Sequence, residues 1–303
     1  MSARSSGFGR FLSLVASVLA ATLPSPLLPA TVGVGTRPCI DIRDVTVTPE
    51  SPRAGTLFEL RFPSIRDVAS VEIAGVRLAV LSTVPGGGDT IARVLAAVPL
   101  DSTAGITVGF SCAGNPSVVP LRLAVDSGRY RNERLRVAPR FSVLDAETER
   151  RIEREAARAA EVARASLSTP VLWRDAFVAP RGSRITSVFG SRRTFNGETV
   201  SRHTGTDYAG ATGSPVRASN RGVVRLIGAF YLGGNVVYLD HGGGLTTAYL
   251  HLSRVLVAEG DTVERAGTIG RVGATGRVTG PHLHFIARLG GITVDPVTLV
   301  GRR

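Results

Sequence analysis

From residue 45 the chain alternates. Val45-Thr46-Val47-Thr48, then residues 57–62, 68–76 and 106–110, set apolar and polar side chains in turn, which is the period of a half-buried β-strand. Clusters of turn-forming residues at 49–55, 85–89 and 111–116 interrupt these runs. Short strands so punctuated predict a small β-sandwich over residues 39–137. The period then changes. Residues 145–166 contain neither Gly nor Pro, and Ile152, Ala156, Ala159 and Ala163 fall on one stripe of a helix. Glu147 with Arg151, and Glu155 with Arg158, are spaced for helical ion pairs, and Thr169-Pro170 closes the segment. Residues 145–168 are therefore expected to form a short helical connector docked on the domain behind it. Over residues 177–300 strands and glycine turns return, with a hairpin around His241-Gly242-Gly243-Gly244.

The amino-terminal end has another character. Arg4 and Arg10 precede an uncharged, largely apolar run over residues 11–23. That run is too short to span a bilayer and suits the core of an export signal, so residues 1–30 are expected to be a signal peptide. No later segment is long and apolar enough to leave a membrane span after cleavage. The expected location is the periplasm or the cell exterior.

Composition narrows the chemistry. Of 303 residues, 43% are hydrophobic and 20% charged, which allows a buried core. The formal charge is +12, and all 36 basic residues are arginine. Without lysine there is no Schiff-base chemistry, no phosphate-loop lysine and no site for biotin or lipoate. Arginine stays protonated and cannot act as a base. The positive charge calls for an anionic partner, and export turns that expectation from nucleic acid to an envelope polymer. The two cysteines, Cys39 and Cys112, are expected to pair in an oxidising compartment.

All five histidines lie in the second half. If His203-Thr204-Gly205-Thr206-Asp207 is extended, His203 and Asp207 share a face, with room left at Gly205. In His282-Leu283-His284 the two imidazoles project together while Leu283 faces inward. The two motifs supply His, Asp and His, a donor set zinc accepts while keeping a fourth position for water. His251 and His282 remain for proton transfer and oxyanion stabilisation. Arg192, Arg193 and Arg277 lie close in sequence and are candidates to meet substrate carboxylates. His241 reads as a turn residue of its hairpin.

His203-Thr204-Gly205-Thr206-Asp207, Tyr249-Leu250-His251-Leu252 and Gly280-Pro281-His282-Leu283-His284-Phe285 together resemble the signature of the lysostaphin-type (LytM-like) zinc metallopeptidases, which are peptidoglycan hydrolases. Ser187-Val188-Phe189-Gly190, Gly213-Ser214-Pro215-Val216, Asp240-His241-Gly242 and Asp295-Pro296 fit the same pattern. The resemblance implies a mainly β chain, with an antiparallel β peptidase domain over 177–300 built around a zinc groove. It also implies an immunoglobulin-like β-sandwich and the helical connector upstream. It assigns one zinc ion per chain to His203, Asp207 and His284, and catalysis to His251 and His282. It makes peptidoglycan the partner, together with other cell-envelope proteins, and peptide bonds in cross-links or stems the substrate. Some members carry a tyrosine shortly before the first zinc histidine. Here Phe195 and Asn196 occupy that stretch, and that role is not carried over. The alternative within the same fold is a non-catalytic peptidoglycan-binding protein or an activator of another hydrolase, and such proteins lack ligands that this chain retains.

Overall fold

The alternating runs become strands. The computed structural model describes residues 40–302 apart from 64–67, 79, 87–88, 137–143 and 198. The expected signal peptide and Cys39 lie outside the described residues. Eight strands make two four-stranded antiparallel sheets. They are β1 (Thr46–Thr48), β2 (Leu57–Pro63), β3 (Val68–Ile73), β4 (Val76–Leu78), β5 (Val80–Gly86), β6 (Asp89–Ala97), β7 (Ile106–Cys112) and β8 (Asn115–Leu123). The orders are β1-β2-β6-β5 and β4-β3-β7-β8. Phe58, Leu60 and Phe62 of β2 enter one core with Val71, Ile73, Val108 and Phe110 of the other sheet. The rings of Phe62 and Phe110 meet edge to face at 5.4 Å. Cys112 is disulfide-bonded.

That core does not stop at the upstream sheets. Trp173, Phe177, Leu245, Leu289 and Leu299 belong to it. Hydrogen bonds to backbone carbonyls stitch the same seam: Asp295 N–H donates to Gly55 O at 2.7 Å, and the Arg302 side chain donates through Nη2 to Leu57 O at 3.0 Å.

The short strand β9 (Asn132–Leu135) comes next, then α1 (Ala146–Ala165). Asp145 caps the helix by accepting from Thr148 N–H at 2.7 Å. Ala159, Val162 and Ala163 are its buried residues. Ala159 and Val162 pack on Leu226, Phe230, Tyr238 and Leu250. The surface pairing differs from the sequence reading. Glu155 accepts from Arg151 at 2.7 Å and from Tyr231 N–H at 2.8 Å, so both carboxylate oxygens are taken. Arg158 lies over the Phe230 ring instead.

The remaining strands are β10 (Ile185–Ser187), β11 (Arg192–Phe195), β12 (Thr199–Arg202), β13 (Thr206–Ala209), β14 (Pro215–Arg217), β15 (Gly222–Phe230), β16 (Gly234–Gly242), β17 (Leu245–Val255), β18 (Thr262–Val263), β19 (Thr268–Val272), β20 (His282–Leu289) and β21 (Ile292–Val294). The main sheet runs β10-β13-β20-β17-β16-β15-β18, antiparallel throughout. Tyr208, Leu239, Tyr249, Leu283 and Phe285 form the core on one face, with Val216, Ile269 and Val272 of β14 and β19. On β20 the even-numbered residues take the other face: Ile286 lies in the cluster beneath α1, and His282 and His284 open onto a cleft. A separate sheet, β12-β11-β9, joins the upstream strand β9 in parallel to β11, with Glu133 opposite Arg193. The chain is mainly β, as expected.

Candidate metal centre

His284 is the third residue of β20 and pairs with Asp207 of β13 on one side and Leu250 of β17 on the other. Antiparallel register alone puts Asp207 and His284 side by side, and Asp207 Oδ1 lies 2.7 Å from His284 Nδ1. His203 arrives by a different route. In a continuous strand, residues four apart are separated by about 13 Å, beyond side-chain contact. The chain instead breaks between β12 and β13, bending at Gly205. His203 Nε2 then sits 3.0 Å from Asp207 Oδ1 and 3.0 Å from His284 Nδ1. The expected extended geometry is therefore replaced by a bend. Gly205 is needed there, because a Cβ would fall 2.5 Å from Phe285 O and 2.7 Å from His284 Cε1.

Three donor atoms thus converge, all from buried residues. His203 Nδ1 lies 2.8 Å from Val188 O, which can only accept, so the ring proton is on Nδ1 and the Nε2 lone pair faces the cluster. Tetrahedral ligands at about 2.0–2.1 Å from zinc stand roughly 3.3 Å apart. The observed separations of 2.7–3.0 Å lie a few tenths inside that figure. Two imidazoles and one carboxylate, held by the Val188 carbonyl at His203 and by strand register at Asp207 and His284, suit zinc in donor type and spacing.

Arg193 supports the carboxylate from behind. Its Nη2 donates to Asp207 Oδ2 at 2.6 Å, and its Nε donates to Glu133 at 3.0 Å. Glu133 also accepts from Ser187 Oγ at 2.8 Å. Burial alone would raise the Asp207 carboxyl, but hydrogen bonds and charge from His203 and His284 hold it well below the usual carboxylate range. Burial likewise lowers His284 to about 4.

His251 and His282 stand beside this cluster, with ring centroids 4.9 Å apart; His251 is 5.8 Å from His284 by the same measure. His251 reaches the cleft through a β-bulge. Asn235 pairs with Leu252 and Val237 with Tyr249, so Leu250 and His251 oppose Val236 alone. The extra residue reverses the alternation that would turn His251 towards the Tyr249 core. His251 has φ 64°, a left-handed conformation costing a histidine roughly 1–2 kcal/mol. Two bonds hold it: its N–H donates to Gly233 O at 2.8 Å, and its Nδ1–H donates to Thr275 O at 2.9 Å. The Nε2 is left with its lone pair. Burial, followed by the neighbouring His284 and His282, lowers its pKa to about 3. His282 Nδ1–H donates to Gly280 O at 2.8 Å, and its Nε2 lies 3.8 Å from Asp207 Oδ1.

These residues line a cleft of about 760 Å³. Five sequence-predicted residues, His203, Asp207, His251, His282 and His284, therefore meet in one place. His241 does not belong to the turn. It lies in β16, fully buried, bonded to Arg221 O at 2.7 Å and to Thr247 Oγ1 at 2.8 Å. Arg193 is committed to Asp207 and Glu133 rather than open to a ligand. Glu133 escaped the sequence reading altogether, since its role comes from a strand pairing some 60 residues away in the chain with no local signature.

Residues 201–296 match the sequence profile described as peptidase family M23. Over 117 residues the chain is 47% identical to the DD-carboxypeptidase/endopeptidase Mpg of Neisseria meningitidis serogroup B, covering 39% of this chain and 27% of that protein. Over 118 residues it is 42% identical to the peptidoglycan DD-endopeptidase ShyC of Vibrio cholerae, covering 38% and 27% respectively. The chain thus spans about a quarter of the length of these curated relatives. A crystal structure from Pseudomonas aeruginosa, ascribed to peptidase M23, aligns with a TM-score of 0.63 at 26% identity, covering 84% of this chain and 96% of that one.

Proposed function

We propose, on the match of residues 201–296 to peptidase family M23, that this protein is an exported, zinc-dependent endopeptidase that cuts peptide bonds in peptidoglycan cross-links or stems. The observation that carries the reading is the convergence of His203 Nε2, Asp207 Oδ1 and His284 Nδ1 within 3.0 Å, beside two imidazoles with free Nε2 atoms. Relatives whose names specify peptidoglycan or DD-endopeptidase activity share this stretch of chain. The excess of arginine suits an anionic wall polymer, and an envelope location accords with that substrate.

In this reading His203, Asp207 and His284 hold zinc. When bound, zinc supplies a lowered pKa for water and polarisation of the scissile carbonyl. The chain's own groups do the rest. Val188 O fixes the His203 tautomer, and Arg193 occupies Asp207 Oδ2 so that Oδ1 faces the cluster. Thr275 O and Gly280 O fix the ring protons of His251 and His282 on Nδ1. Each Nε2 is thereby ready to accept a proton from water; the imidazole that takes it then carries an Nε2–H that can donate to the developing oxyanion and afterwards pass the proton to the leaving amine. Burial keeps His251 neutral before the reaction, as a proton acceptor must be.

The test is incubation of the purified, zinc-loaded protein with intact sacculi, followed by mass spectrometry of released fragments. New amino and carboxyl termini in the peptide portion support the reading. Binding without release of any peptide fragment would leave a non-catalytic wall-binding protein in its place.

A further inference from the structure

The cleft contains a cation that the chemistry above does not use. Arg277 lies over the Phe195 ring, with its guanidinium carbon 4.2 Å from the ring centroid. Among the described residues no carboxylate bonds to it. The two acids lining the cleft, Glu133 and Asp207, are both taken by Arg193. Burial, with help from the nearby Arg193 charge, pushes the Arg277 pKa down to about 10. A half-buried guanidinium with no counter-charge is costly, and stacking leaves its N–H edge free for an acceptor.

Its position is fixed relative to the reacting groups. Arg277 N–H donates to Leu232 O at 2.9 Å, and Asn235 N–H donates to Thr275 Oγ1 at 3.0 Å. Thr275 O is the acceptor that holds His251. One short segment therefore carries both the anchor of His251 and, two residues on, the unpaired arginine.

We propose that Arg277, stacked on Phe195, is a specificity residue that binds a free carboxylate of the peptide substrate through a two-pronged hydrogen bond. This rests on the peptidase reading, in which the cleft receives a wall peptide bearing carboxyl groups. Where some members of the resembling family place a tyrosine, this chain has an aromatic platform for a cation. A guanidinium fork matches the two oxygens of a carboxylate and gains nothing comparable from a neutral amide.

The experiment uses the zinc-loaded full chain and two synthetic cross-linked peptides. Both contain a D-alanyl to diamino-acid link. They differ only in whether the diamino acid's own carboxyl group is free or converted to a carboxamide. The wild type is expected to show a KM about 10- to 100-fold lower for the carboxylate peptide, the range of a charge-assisted hydrogen bond. Arg277→Gln should raise that KM about 10-fold or more, leave the carboxamide peptide within about threefold, and alter kcat and zinc content little. Arg277→Lys, which keeps charge without the fork, should fall between. Equal KM values in the wild type overturn the proposal without need of any variant, as does an equal loss on both peptides in Arg277→Gln. If the wild type cuts neither peptide nor sacculi, the peptidase reading fails, and calorimetric binding of the two peptides still decides the subsite. Tighter binding of the carboxylate form upholds it, and equal binding overturns it.

Discussion

Arg193 grips Asp207 by Oδ2 at 2.6 Å, on the side of the carboxylate away from the oxygen that meets His203 and His284. The same guanidinium reaches Glu133 on the upstream strand β9. The candidate metal centre is thus braced by residues from both sides of the helical connector. Groups that orient a metal ligand commonly contribute about 10- to 100-fold to affinity. Arg193→Met is therefore expected to weaken zinc binding by about that factor, and Glu133→Gln by less, since Ser187 and Arg193 still bond its neutral amide. Competition with a chromophoric chelator measures both. Unchanged or tighter zinc binding in Arg193→Met would show that the ion pair does not position Asp207.

Gly205→Ala should damage the centre without touching a ligand. The added methyl would meet Phe285 O at 2.5 Å and the His284 ring at 2.7 Å. The backbone oxygen cannot retreat without disturbing β20, so a loss of about 1–3 kcal/mol in stability is expected, together with a lower zinc content. A variant with wild-type melting temperature and full zinc would contradict this close packing.

The motifs were legible in the sequence where local periodicity decides the outcome. His282 and His284 share a face because Leu283 between them enters the core, and the Gly- and Pro-free segment became α1. What stayed hidden depends on long-range pairing. The approach of His203 to Asp207 requires a chain break at Gly205, whereas the pattern suggests continuous extension. His251 lies on the cleft face only because a bulge, set by the partner strand β16, shifts the alternation. Glu133 sits in a four-residue strand with no apolar alternation to mark it. His241 was hidden too: a histidine before three glycines reads as a turn, yet β16 continues through it and buries it.

His241 makes stability depend on pH. Burial lowers its pKa from 6.5 to about 4, while the unfolded chain titrates it near the ordinary value. Between those limits the unfolded state binds more protons, so stability is fully present above pH 6.5 and falls as pH drops towards 4. The slope contributed is at most about 1.4 kcal/mol per pH unit. Denaturant unfolding at pH 7 and pH 5 should show a smaller difference for His241→Gln than for the wild type, even though the variant is less stable at both. An identical difference would mean that His241 is not kept neutral in the fold.

Cys112 is disulfide-bonded, and Cys39 is the chain's other cysteine. Closing a loop of roughly 73 residues stabilises by about 4 kcal/mol on chain-entropy grounds. Cys39→Ser should therefore lower the unfolding free energy by an amount of that order, while peptide hydrolysis per folded molecule stays near wild type. Thiol titration of the unfolded, unreduced protein should find no free thiol. Two reactive thiols, or a loss of hydrolysis greater than the loss of folded protein, would contradict a purely structural bridge.

The central claim divides five residues into holders of zinc and movers of protons, and zinc content read with peptidoglycan turnover on the same purified variants tests it most directly. His203→Ala, Asp207→Ala and His284→Ala are expected to lose zinc and hydrolysis together. His251→Ala should keep zinc and lose about 100- to 10,000-fold in turnover, the usual worth of a general base. His203→Ala with full zinc and full turnover, or His251→Ala without zinc, would contradict the assignment.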